Sequence, residues 1–121
     1  TQRLLPALKK APAARIVNLS SILASLTLQA DPKSETYGVK VFAYNSSKAA
    51  LNSFTIHLAY ELRNTKIKVN AAHPGWVLTD LGGPHAPMSV QEGAATSVRL
   101  ATLDKDGPTG GYFFLDRPLP W

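Results

Sequence analysis

The 121-residue chain amounts to one small domain, and its 45% hydrophobic and 17% charged residues exclude a disordered tail. No cysteine is present, which excludes a disulfide scaffold and thiolate metal sites and fits a cytoplasmic, reducing compartment. The net charge of +5 is divided between ten Lys or Arg against three acids over residues 1–68 and three against five over 69–121, but no basic run exceeds Lys9-Lys10 and no aromatics alternate with the cations, so nucleic-acid binding is not expected.

Residues 2–10 read as the end of a helix, with Leu4, Leu5 and Leu8 on one side and Pro6 implying a kink or a short helix. Residues 14–19 (ARIVNL) are a short β-branched apolar run, the pattern of a strand covered on both faces in a parallel sheet. The longest uncharged stretch, residues 16–30, is 15 long and broken by polar side chains, whereas a membrane helix needs about 20 mostly apolar residues. Residues 31–38 form a polar loop. A long helix is predicted over 43–63, with Leu51, Phe54, Thr55, Leu58 and Leu62 on its apolar face. Residues 67–72 read as a strand ended by His73-Pro74-Gly75, and 82–87 as a loop. Ser89 and Glu92 have the spacing of a capping box for a helix over 90–103. A turn at 108–111 precedes a last strand at 112–115. This alternation predicts an α/β fold of about three parallel strands joined by right-handed crossover helices.

Tyr44 and Lys48 are four apart and share a helix face. A tyrosine is a poor acid or base at neutral pH, but a lysine charge about 4 Å away at an effective dielectric near 20 favours the phenolate by roughly 4 kcal/mol. That suits a general acid or base. A hydroxyl from Ser20 or Ser21, at the end of the first strand, could hold a substrate oxygen where charge develops. His57, His73 and His85 show no ligand spacing, so no metal site is expected.

Three blocks together carry a resemblance. Arg15-Ile-Val-Asn-Leu-Ser-Ser21, Tyr44-Asn-Ser-Ser-Lys48-Ala-Ala-Leu and Val69-Asn-Ala-Ala-His-Pro-Gly-Trp-Val-Leu-Thr79 resemble the short-chain dehydrogenases/reductases, in the family's order. The resemblance covers nearly all of the chain and places residues 1–121 on the C-terminal half of a single Rossmann-type, doubly wound domain. The N-terminal, nucleotide-binding half, with its glycine-rich loop, is therefore expected outside these residues. The 23 positions from Ser21 to Tyr44 are longer than the family's usual gap and give the chain a carbonyl-reductase-like flavour. The extra residues between 25 and 41 would form a flap over the substrate or cover the helix face that many members use to pair.

The resemblance implies an NAD(P)-dependent oxidoreductase moving a hydride between nicotinamide and a small carbonyl or alcohol substrate, with NADP favoured over NAD. It assigns the catalytic serine to Ser21 rather than Ser20, proton transfer to Tyr44, and the nicotinamide ribose to Lys48. Pro74, Gly75, Val77 and Thr79 would lie on the nicotinamide carboxamide or a nearby phosphate. Trp76 and Leu23 would be pocket walls, and residues 80–88 a substrate lid. A homo-oligomer could form through the 43–63 helix. The alternative reading is a truncated, non-catalytic family member acting as an interaction module through that helix.

Overall fold

The computed structural model describes residues 1–121. A 3-10 turn, Gln2–Leu4, runs into α1 (Leu5–Lys10), where Pro6 occupies the second helical position. An N–H there would lack an intrahelical partner, so proline costs nothing and the helix is short rather than kinked. Four strands follow in chain order: β1 (Arg15–Leu19), β2 (Lys68–Ala72), β3 (Tyr112–Phe114) and β4 (Arg117–Pro118). Their spatial order is β1-β2-β3-β4, with β1, β2 and β3 parallel and β4 antiparallel to β3. The sequence predicts about three strands. The fourth is only two residues long, and Leu115 enters its hairpin at φ 54, so no period-two pattern marks it.

Between the strands lie α2 (Leu26–Ala30), α3 (Phe42–Glu61) and α4 (Val90–Ala101). The capping box is formed: the Ser89 hydroxyl accepts the Glu92 N–H and the Glu92 carboxylate accepts the Ser89 N–H. The core joins α1 and α3 to the sheet through Ala14, Leu58, Ala59, Leu62, Ile67 and Val69, with Leu5, Leu8 and Ile16 against them. Ile16 and Val69 are paired in register, so this is one face of the sheet. Arg15, on the other face of β1 by strand alternation, bonds the carbonyl of Leu103 just beyond α4. α3 and α4 therefore cover opposite faces. The strands advance in one direction, so the two crossovers cannot share a hand, and the expectation of uniformly right-handed crossovers fails for one of them.

Two further expectations are corrected. β1 is only half-buried, with Leu19 51% exposed, because it pairs along one edge alone. On α3 the buried face carries Asn52, Thr55, Leu58 and Ala59, and Phe54 points outward at 44% exposure. Asn52 and Thr55 turn inward onto partners from β1 and its end: Ser20 Oγ donates to Asn52 Oδ1 (2.6 Å) and Asn18 Nδ2 donates to Thr55 Oγ1 (2.8 Å), while Asn52 Nδ2 is buried without a partner. The segment before α3 packs along that helix's start. There Gln29 Oε1 accepts from Lys40 Nζ at 3.2 Å and from Asn45 Nδ2 at 3.2 Å. The outward face of α3, with Ala50, Phe54 and His57, stays open.

Leu58→Ala should cost about 2–5 kcal/mol of stability and Phe54→Ala no more than about 0.5 kcal/mol, measured by urea unfolding.

Candidate active site

β1 ends in two serines with different fates. The Ser20 N–H extends the parallel ladder to the Ala72 carbonyl at 2.8 Å, and its side chain is buried with its proton committed to Asn52. Ser21 has extended backbone and caps the 3-10 turn Ile22–Ala24, where its Oγ accepts the Leu23 N–H at 3.3 Å. An accepting hydroxyl keeps its own proton to donate.

Tyr44 and Lys48 lie on the first turns of α3, both half-buried. The Lys48 Nζ is 5.8 Å from the centroid of the Tyr44 ring and donates to the Leu19 carbonyl at 2.9 Å. One of the three ammonium donors thus ties the helix to the end of β1, two residues before Ser21, and two donors remain.

The turn after β2 forms the adjoining wall. Gly75 has φ +88, and a Cβ there would run into the Met88 Sδ and, at 3.1 Å, the Phe114 ring. Only glycine meets both demands. A parallel bridge pairs Val77 with Met88: the Met88 N–H reaches the Trp76 carbonyl (3.2 Å) and the Leu78 N–H reaches the Met88 carbonyl (2.8 Å). By strand alternation the Val77 amide faces the opposite way. The Thr79 hydroxyl is engaged inside its own loop, accepting the Gly82 N–H at 3.2 Å. The Trp76 indole N–H is bonded to the Gly82 carbonyl at 2.7 Å, and Leu81 at the loop tip is 88% exposed. Leu23 lines a groove of about 410 Å³ with Leu26, Phe42 and Asn45. Asn45 lies one turn before Lys48 on α3.

Two residues of the site escape the sequence reading. Tyr112, 1% exposed, donates its hydroxyl to the Ser21 carbonyl and stacks on Trp121 at 5.4 Å between ring centroids. Burial pushes its phenol well above the ordinary value, with the Tyr44 charge adding less. His73, 8% exposed, accepts at Nδ1 from the Ile22 N–H (3.1 Å) and the Gly75 N–H (3.3 Å), with its ring tilted on Phe114. Its one proton therefore sits on Nε2, and a second would have to displace both N–H groups from Nδ1. Burial pulls its pKa from 6.5 down to about 4. The available signal was weak: a tyrosine in a strand read as buried needs a partner for its hydroxyl. No three His, Cys, Asp or Glu side chains converge as metal ligands, and no helix is long and apolar enough to cross a membrane.

Between pH 6.5 and pH 4 the unfolded chain takes up a proton that folded His73 refuses, so stability is full above pH 6.5 and falls as the pH drops toward 4. The expected loss is about 3 kcal/mol, read from urea midpoints across that range, and His73→Asn, which keeps an acceptor but cannot titrate, should flatten it.

Comparison with known proteins gives concordant results. The family described as short chain dehydrogenase matches residues 1–89. The chain is similar to carbonyl reductase [NADPH] 1 of Oryctolagus cuniculus, 51% identical over 65 residues that make up 52% of this chain and 23% of that protein. Among solved structures, the carbonyl reductase Sniffer of D. melanogaster superposes with TM-score 0.77 and 34% identity over 99% of this chain and 50% of its own. The NADPH-bound carbonyl reductase from chicken fatty liver does so with TM-score 0.78 and 28% identity, again over 99% and 50%. The chain thus spans about half the length of these solved relatives, and its α/β sheet corresponds to half of their fold. The chain belongs to the short chain dehydrogenase family.

Proposed function

We propose that these residues are the catalytic half of an NADP-dependent oxidoreductase that interconverts a small carbonyl compound and its secondary alcohol. The observation that carries this reading is the junction at the end of β1, where Lys48 of α3 bonds the Leu19 carbonyl beside Ser21 and holds its charge near the Tyr44 ring. NADP is favoured over NAD because the carbonyl reductases that resemble the chain are named for NADPH or hold it bound.

The nicotinamide end of such a cofactor suits the residues present. The Val77 amide is turned away from the Met88 bridge, Gly75 brings bare backbone to the site, and Lys48 has two donors to spare. Pro74, Gly75 and Val77 would hold the carboxamide and Lys48 the ribose. Thr79 would have to exchange its Gly82 partner to take part. When bound, the cofactor supplies or receives the hydride. In reduction, Ser21 donates its free proton in a hydrogen bond to the carbonyl oxygen, and Tyr44 transfers its phenolic proton to that oxygen as the C=O π bond opens. The phenolate is held beside the Lys48 ammonium until water reprotonates it. Oxidation runs the same transfers backwards.

The dinucleotide phosphates would be held by an N-terminal half of the same Rossmann-type domain, seated on the free edge of β1. On the same reading the protein works in the cytoplasm, and the open face of α3 serves pairing with a second copy.

The test uses the full-length protein, NADPH and an aromatic ketone. Tyr44→Phe should lower kcat by about 10²–10⁴-fold while NADPH binding, read by nicotinamide fluorescence, persists. A Tyr44→Phe enzyme within about twofold of the original would overturn the reading and favour a non-catalytic interaction module.

A further inference from the structure

One peptide unit in the site is gripped at both ends by side chains. Its carbonyl, that of Ser21, takes the Tyr112 hydroxyl, and its N–H, that of Ile22, is given to His73 Nδ1 at 3.1 Å. The two side chains come from different strands. Tyr112 opens β3, and His73 immediately follows β2. Both are buried, and both are braced by a ring, Tyr112 by Trp121 and His73 by Phe114. We propose that Tyr112 and His73 are positioning residues that fix the peptide unit joining Ser21 to Ile22 and thereby aim the Ser21 hydroxyl at the substrate oxygen. The inference rests on the function proposed above.

The geometry explains why such a device is needed. Ser21 leaves the sheet at the last ladder bond, made by Ser20, and is followed at once by a 3-10 turn. Its own backbone is therefore outside the β-ladder, and before the side chains are counted, rotation about the bond that follows Cα is opposed only by the turn's own bond from the Ala24 N–H to the Ser21 carbonyl at 2.8 Å. Rotation there turns the Ser21 carbonyl and the Ile22 N–H together, since they belong to one rigid plane. Pinning both atoms removes that freedom. The far side of the turn is pinned as well: the Trp121 carbonyl accepts the Ser25 hydroxyl at 3.2 Å and the Thr27 N–H at 2.9 Å. His73 Nδ1 also accepts the Gly75 N–H, so one ring joins the serine turn to the glycine turn proposed to carry the nicotinamide. Tyr112 is not a second proton donor. Its proton is spent on a buried carbonyl, and burial resists its ionisation.

The experiment is a double-mutant cycle in the full-length protein with NADPH and the same ketone. Tyr112→Phe should lower kcat about tenfold, the worth of one buried hydrogen bond, with KM for NADPH unchanged within about twofold. In a Ser21→Ala background the same substitution should cost less than about twofold, because its effect runs through the serine. An equal loss in both backgrounds, or no loss in the first, would overturn the proposal. The other end of the peptide is tested by His73→Leu, expected to lower kcat about tenfold, against His73→Asn, expected to restore most of it through its side-chain oxygen. This pair also serves if Tyr112→Phe fails to fold, and indistinguishable kcat for the two variants overturns the proposal. Amide exchange at Ile22 reads the clamp without turnover and should quicken at least about tenfold in His73→Leu. An unchanged Ile22 rate refutes the clamp itself, whereas a wild-type protein without turnover refutes the functional reading and leaves the exchange result to decide the clamp.

Discussion

Everything at the site depends on the register of the parallel ladder about β2. Leu19 sits beside Ala72, and Ala72 beside Phe113, so the carboxyl ends of β1 and β2 are level and β3 starts alongside them. That alignment brings Ser20 and Ser21, His73 and Tyr112 to one place although they are far apart in sequence. Parallel α/β sheets gather ligands at the carboxyl ends of their strands. A slip of one residue would turn every side chain of the slipped strand to the other face and dissolve the group.

The helix that carries Tyr44 and Lys48 is fitted to this ladder by polar contacts from Lys48 to Thr55 and by apolar ones at its C-terminal end. Leu58, Ala59 and Leu62 bury against Ile67 and Val69. Asn52 and Thr55 meet Ser20 and Asn18, and Lys48 meets the Leu19 carbonyl. Apolar packing is tolerant of small sliding, whereas a hydrogen bond fixes distance and direction. The order along the helix therefore places firmness of attachment nearer the residues that carry the chemistry, and bulk stabilisation at the far end.

Much of this was legible in the sequence, for identifiable reasons. β-branched runs marked β1 and β2, the Ser89 and Glu92 spacing marked the start of α4, and the three motif blocks carried the resemblance to the family that the comparison bears out. The inward face of α3 was partly missed because periodicity counts apolar residues. It favoured Phe54 and passed over Asn52, whose burial depends on a serine 32 residues away. The placement of α4 on the opposite face of the sheet was hidden because it is decided by where the loop after β2 passes. His73 and Tyr112 were hidden because their partners are backbone atoms, and a backbone carbonyl or N–H has no residue identity to recognise.

The bridge between Val77 and Met88 has a consequence for the loop it closes. Both stems are already joined, and the Trp76 indole and the Thr79 hydroxyl draw Gly82 back toward the near stem. The entropy of bringing the ends together is thus spent on folding rather than on ligand capture. The turn around the exposed Leu81 is itself closed by the Gly83 N–H to the Thr79 carbonyl at 2.8 Å. The wall is therefore a preformed frame rather than one assembled around its ligand.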